Sequence, residues 1–323
     1  VIDPYTPYSW FDFDKFYEIV YEALRLSDTL VDLEIESVGN ILAKVKSDPE
    51  NIRIKMVEID TWEKLLSTGK AGRRVGLGIT ALGDTLAALG FKYDSDEALK
   101  ITEAIFKKKM EAAFDASIDL AILKEPFPDW NVNNEFKSET IGNNPFYQFL
   151  TENFHEQAVR MQKYGRRNIS LSTCAPTGSL SSLTQTSSGI EPVFLAMYTR
   201  RMKINAGDNS SRVDFIDGNG DYWQEIQVLH PQFKKWIEMN YIDIVDNTYT
   251  SVDNLSRARL EEIFKESPWY NATANDIDWE KRVRLQATIQ KYITHSISST
   301  INLPKDVSVE VVENIYMKAR SEE

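Results

Sequence analysis

The stretch from Asn168 to Pro192 constrains the fold more than any other. It opens with an apolar, β-branched run, Ile169 to Thr173, which reads as a buried strand. Ala175-Pro176-Thr177-Gly178-Ser179 follows as a sharp turn. Pro176 fixes φ there, and Gly178 allows backbone geometry that other residues resist. Four hydroxyls, on Thr177, Ser179, Ser181 and Ser182, then lead into a predicted helix. A strand, a glycine-containing turn and a helix start together make an anion site, because free N–H groups point outward and the helix dipole favours negative charge. The stretch therefore reads as a phosphate cradle. The same residues also describe an ordinary N-capped helix after a core strand, since Ser and Thr are common caps.

Composition bounds what such a cradle can serve. The chain has 323 residues, 42% hydrophobic and 27% charged, which fits a soluble globular protein with a sizeable core. A net charge of −12 argues against nucleic-acid backbone binding. The single cysteine, Cys174, rules out an internal disulfide framework or a Cys-based metal site. His155, His230 and His295 are too scattered for ligand spacing, so no metal site is expected. No apolar run reaches the ~20 residues of a membrane span, and no signal-peptide pattern opens the chain. A cytoplasmic protein is expected. The chain begins Val1-Ile2-Asp3 without an initiator Met, as a processed or split piece would.

Periodicity places helices around this stretch. Phe13, Phe16, Val20 and Leu24 recur at helical spacing in a run to about Lys46, with a possible break near Ser27-Asp28. A second helix is expected from Glu50 to Leu66, and another ends near Leu89. A long helix capped by Ser95 runs to about Leu123, with Lys107-Lys108-Lys109 read as its solvated face. Further helices are expected over 146–163, from Trp279 to about Ser296, and from Val307 to Arg320. Val75 to Ile79 and Ser298 to Leu303 read as short strands. Gly76-x-Gly78 makes a poor dinucleotide loop, because its third glycine falls at Gly83. Residues 206–222 read as a polar surface excursion, and Asp217-x-Asn219-x-Asp221 as a turn rather than a calcium loop. Long helices alternating with short apolar strands signal parallel α/β architecture, with the binding face at the strand C-termini.

Five motifs occur in order: Arg73-Arg74-x-Gly-x-Gly-Ile-Thr-Ala-Leu-Gly-Asp84, Gly165-Arg-Arg-Asn-Ile169, Ala175-Pro-Thr-Gly-Ser179, Ser187-Ser-Gly-Ile-Glu-Pro192 and Ser296-Ile-Ser-x-Thr-Ile-Asn-Leu-Pro304. Together they resemble the large (catalytic, alpha) subunit of ribonucleotide reductase, and in flavour its adenosylcobalamin-dependent class. The resemblance implies a ten-stranded α/β barrel of two five-stranded parallel halves, with this chain as its C-terminal part: a single incomplete barrel domain, residues 1–323. It implies radical removal of the ribose 2′-hydroxyl, started by a cysteine thiyl and fed by two further cysteines. It places the substrate phosphate on Ala175, Pro176, Thr177, Gly178 and Ser179, with Gly189, Glu191 and Pro192 shaping the barrel mouth.

The chain departs from that pattern in one respect. It lacks the family's Asn-x-Cys-x-Glu loop, and its one cysteine cannot make a reducing pair. Cys174 reads as a small core hydrophobe, with no basic neighbour in sequence to activate it. No catalytic residue is therefore assigned to this chain, and no cofactor is expected on it alone. The complete enzyme would use adenosylcobalamin or a radical-generating small subunit. Its partners would be a ribonucleoside di- or triphosphate and an N-terminal half bearing the missing loop, from a split gene or a longer chain. Open barrel edges also suggest a homo-oligomer. Two other readings stand beside this one: a non-catalytic nucleotide- or protein-binding relative, and an unrelated phosphate-handling enzyme using Asp84 and Glu191, both of which read better as caps.

Overall fold

The computed structural model describes residues 1–132, 145–205, 212–241, 252 and 255–322. α1 (Phe13–Ser47) starts where Asp12 accepts the Lys15 N–H, and it runs unbroken through Ser27-Asp28. The expected break is absent because Asp28 is a buried ion partner rather than a helix stop. Its Oδ1 accepts Arg73 Nε and Asn168 Nδ2, each at 2.9 Å. α2 (Ile52–Gly72) folds back along α1 and ends where Arg73 turns left-handed, at φ 44°. α3 (Leu82–Ala88) is short. α4 (Asp96–Lys124) is capped by Ser95 as expected, and its Asp and Glu in the first turn suit the helix dipole.

The triple lysine of α4 needs correction. Lys107 is exposed, but Lys109 is only 1% exposed, and its Nζ donates to the Leu77 carbonyl at 2.7 Å. Position along the helix decides this, since Lys109 falls on the stripe that carries buried Ile105, Ala112 and Ala116. The single helix expected over 146–163 divides at Phe154 into α5 (Pro145–Asn153) and α6 (His155–Tyr164), because Phe154 leaves the helical region (φ −137°, ψ 52°) and is buried. α7 (Gly178–Thr184), α8 (Pro231–Asn240), α9 (Arg257–Phe264), α10 (Trp279–Gln290) and α11 (Val309–Ser321) complete the helices. α10 stops short of Ser296, giving way to turns from which Thr294 reaches the backbone of Leu171 and Ser172. Among the described residues no helix is long and apolar enough to cross a membrane.

The strands expected at 75–79, 169–173 and 298–303 do not form as regular strands: three segments meet side by side only in isolated bridges, the third of them at Ile297, just ahead of the expected span. Leu77 bridges Ser172 and Cys174 bridges Ile297, both parallel. Side chains take the places of ladder partners: Thr294 Oγ1 accepts the N–H groups of Leu171 and Ser172, each at 2.9 Å, and Ser170 Oγ donates to the Val75 carbonyl at 2.9 Å. Gly76 allows this approach, because a Cβ there would stand 3.0 Å from Thr173 Cγ2. The glycine alternation therefore serves strand packing, not a dinucleotide.

The regular sheet lies elsewhere and was missed. β1 (Met197–Lys203), β2 (Phe215–Ile216) and β3 (Tyr222–Leu229) form an antiparallel sheet in the order β1-β3-β2, with Met197 opposite Leu229. The polar excursion is thus partly strand. Its residues 206–211 lie outside the described ones. At its tip Asp217 Oδ1 accepts the N–H groups of Asn219 and Asp221, at 2.9 and 3.0 Å, and Gly220 sits at φ +83°. That is a side-chain-stapled turn, as read from the sequence. Two hydrophobic clusters result. One is built on α1, α4, α6 and the three parallel segments, and the other on Phe233, Trp236, Ile237 and Trp269.

Candidate functional site

The three parallel segments run in one direction, so their C-terminal ends share one side of the molecule, where barrel sites form. The turn at 175–179 leaves the middle segment there. Ala175, Pro176, Gly178 and Ser179 are exposed, and Thr177 is half-buried. The strained residue is Thr177, at φ 54°, rather than Gly178, which simply opens α7. The first intrahelical bond runs from Ser181 N–H to the Thr177 carbonyl at 2.8 Å. The N–H groups of Gly178, Ser179 and Leu180 precede it and face outward. Nothing lies within 4 Å of where a Gly178 Cβ would stand, so the approach to these amides is open.

The Thr177 hydroxyl is turned inward. Its Oγ1 accepts the Gly189 N–H at 2.6 Å and lies 3.3 Å from Thr80 Oγ1. Gly189 is required here, at φ +45°, with a Cβ position only 2.9 Å from the Ala175 carbonyl. Thr80 Oγ1 also donates to the Ser187 carbonyl at 3.0 Å. Three of the motifs, far apart in sequence, are thereby tied into one unit: the Gly-rich segment before α3, the phosphate-type turn, and Ser187 to Pro192.

Asp84 and Glu191 do not cap their own elements as the sequence suggested. The Asp84 carboxylate is buried at the start of α3. Its Oδ2 accepts the Ser187 N–H at 2.7 Å, while its Oδ1 lies 2.8 Å from His230 Nε2. Glu191 Oε2 accepts Arg282 Nη2 at 2.9 Å, and Oε1 accepts the Thr300 N–H at 3.1 Å. Both carboxylates are structural clamps, which leaves no free acid–base pair here. The Tyr93 hydroxyl donates to the Ile190 carbonyl from below, and burial pushes its own ionisation well above the usual phenol range.

A cavity of about 690 Å³ opens beside this unit, lined by Ser187, Ser188, Glu191, Pro192, His230 and Asn302 among others. Glu191 and Pro192, expected at a barrel mouth, are among the residues that line this cavity. None of residues 175–179 lines it, and neither does Gly189; the turn is linked to it through the Thr177 bond to Gly189, which follows the lining Ser188 in sequence. Reading the sequence missed His230, Arg282, Thr300 and Asn302. Strand alternation is the signal that could have found two of them. Thr300 and Asn302 face this cavity, while Ile297, Ser299, Ile301 and Leu303 face a groove against α10 and α11. Nothing local marks His230, which reaches Asp84 across 146 positions.

Cys174 lies under the turn and is 2% exposed. Burial pushes its thiol up to about 11, against the opposing pull of Lys109 and Arg282. It is a buried, unreactive thiol, as the sequence suggested. Among the described residues no group of three or more His, Cys, Asp or Glu side chains could hold a metal.

Comparison with known proteins gives this geometry its family. The family model for the ribonucleotide reductase barrel domain matches residues 4–322. The chain belongs to the ribonucleotide reductase barrel family. A vitamin B12-dependent ribonucleoside-diphosphate reductase of Thermoplasma acidophilum is 26% identical over 311 residues, covering 96% of this chain and 32% of that protein. The enzyme of the same description from Mycobacterium tuberculosis is 25% identical, over 92% of this chain and 36% of that protein. The chain thus spans about a third of the length of these curated relatives. The class Id ribonucleotide reductase alpha subunit of Actinobacillus ureae matches in structure with a TM-score of 0.53 at 18% identity, covering 92% of this chain and 44% of that one. This reductase barrel domain therefore has an α/β fold built on parallel segments, and the five ordered motifs were a sound guide to its family.

Proposed function

We propose that this domain is the C-terminal part of a reductase catalytic subunit and holds the phosphate end of a ribonucleotide during its reduction. The observation that carries the reading is the open first turn of α7. Gly178, Ser179 and Leu180 stand exposed after the segment that ends at Cys174, and Thr177 ties this turn to Gly189, next to Ser188 of the cavity of about 690 Å³. Backbone donors with a helix dipole behind them suit phosphate oxygens, and Ser179 adds a hydroxyl. The inward bond of Thr177 to Gly189 makes that residue a turn-former, with its backbone rather than its hydroxyl next to the ligand. Gly189, Glu191 and Pro192 hold the mouth. In the ten-stranded barrel that this reading implies, the three extended segments are three of the strands.

The radical chemistry must come from an N-terminal part carrying the Asn-x-Cys-x-Glu loop and the reducing cysteines. Cys174 cannot substitute, being buried and bound to the barrel wall by its backbone. The corrin cofactor named for the relatives supplies the radical where it is bound. Among the described residues no cluster of His, Cys, Asp or Glu could hold a metal ion, and binding of that cofactor is assigned to the complete enzyme. The relatives' names favour the diphosphate. The test is complementation. The domain alone should form no deoxynucleotide, and addition of a segment carrying the cysteine loop should restore formation. Activity of this chain by itself would refute the proposal.

A further inference from the structure

Among the described residues that line the cavity, two carry a charge or take one up near neutral pH: Glu191 and His230. Glu191 is matched by Arg282. His230 has no role in the phosphate turn and stands between β3 and α8. Its N–H donates to the Ala196 carbonyl at 2.8 Å, and its ring meets that of Trp269 in a T shape, centroids 6.4 Å apart. The ring is thus held in one orientation, with the side chain 13% exposed.

The two ring nitrogens have different surroundings. Nε2 lies 2.8 Å from Asp84 Oδ1, and a carboxylate oxygen only accepts, so Nε2 carries a proton. Nδ1 has no hydrogen-bond partner among the described residues and is not sealed from solvent. Asp84 is buried, and among the described residues no Lys or Arg lies within 4 Å of it. A buried carboxylate calls for a counterion, and the one in reach is a His230 protonated on both nitrogens.

We propose that His230 is a proton-coupled ligand contact: it takes up a proton from solvent when a ribonucleotide binds, and its Nδ1–H donates to an anionic oxygen of the ligand's phosphate chain. The step rests on the proposal that this domain holds the ribonucleotide's phosphate end. With Nε2–H turned to Asp84, the neutral ring offers the cavity a lone pair at Nδ1, which repels such an oxygen. The protonated ring offers a charged donor in its place. Asp84 is the positioning residue. Its Oδ2 accepts the N–H of Ser187, another lining residue, at 2.7 Å, so one carboxylate holds both. The other titratable groups around His230 are Glu191 and Tyr198 on the cavity, Lys234 one turn along α8, and Tyr5 near Asp84. Burial, with the charge of Asp84, pushes the Tyr5 phenol above its usual range, so it stays neutral.

Calorimetric titration of the whole chain with a ribonucleoside diphosphate between pH 7 and 9 tests this. A terminal phosphate, with its second pKa at about 6, is already ionised there. Wild-type affinity should fall by up to about tenfold per pH unit, with proton uptake read from the dependence of the binding heat on the buffer's ionisation enthalpy. His230→Gln, whose amide nitrogen keeps a donor for Asp84, should bind at the wild type's alkaline level with no such slope. Asp84→Asn reverses the bond: its amide donates to Nε2, which moves the neutral ring's proton to Nδ1. That variant should lose the slope and bind at pH 9 about tenfold or more above wild type. Equal slopes in wild type and His230→Gln overturn the role of His230 and leave the phosphate turn standing. A full slope kept in Asp84→Asn overturns the tautomer that Asp84 imposes. A wild type that binds no ribonucleotide, or a Gly178→Val that binds as wild type does, overturns the phosphate turn and this contact with it.

Discussion

Gly178→Val separates binding from folding more cleanly than any other single change. Gly178 opens α7 at a negative φ, and the volume where its side chain would stand is empty to 4 Å. Valine there meets no neighbour, and the exchange of helix propensities alters stability by less than about 1 kcal/mol. The same volume is where a phosphate must sit to reach the amides of Gly178, Ser179 and Leu180. A net hydrogen bond to a charged group contributes about 1.5–3 kcal/mol, so losing two of them removes roughly 3–6 kcal/mol. That corresponds to an affinity loss of more than about 100-fold. The assay is a calorimetric titration with a ribonucleoside diphosphate, beside a urea melt of the same two proteins. Equal midpoints with binding abolished are expected. An affinity within about threefold of wild type would show that the open helix start is not the phosphate site.

Three other perturbations probe the clamps. Gly83→Ala places a methyl 2.8 Å from the Glu191 carbonyl and 3.3 Å from Pro192 Cα, both backbone. It should destabilise by about 1–3 kcal/mol, read as a lower urea midpoint. Glu191→Ala leaves Arg282, whose side chain is 3% exposed, without its carboxylate. A loss of about 3 kcal/mol is expected, and Glu191→Gln should fall between wild type and Glu191→Ala, because its one carbonyl oxygen can accept from Arg282 or Thr300 but its amide nitrogen cannot accept from the other. Lys109 supplies a pH signature. Burial lowers its folded pKa to about 8 from 10.5, so between these values the unfolded chain binds the extra proton and stability rises with pH. Cys174, raised from 9.0 to about 11, opposes this above pH 9. The upward slope should therefore show between pH 8 and 9 and vanish in Lys109→Met. A slope unchanged in that variant would assign it to another group.

Much of the domain was legible locally. Ser95 caps the helix it was expected to cap, because an N-cap is a contact between neighbours in sequence. The turn after Cys174 and the burial of that residue were equally visible in a short apolar run ending at Pro-Thr-Gly. The antiparallel sheet was not, since β3 carries Gln224, Glu225 and Gln227 and stays half-exposed along most of its length, which weakens the apolar alternation that marks a strand.

The order of the motifs by itself determined the family and placed an anion-type turn at a barrel segment's end. Tertiary structure decided what each polar group does there. Asp84 finds Ser187 and His230, Glu191 finds Arg282 and Thr300, and Lys109 is drawn inside to complete the Leu77 carbonyl. A buried charge takes whichever partner the packing brings within reach, and here those partners lie from 32 to 146 positions away in sequence. No local pattern records such a choice, because its energy arises only when the segments meet and water is excluded.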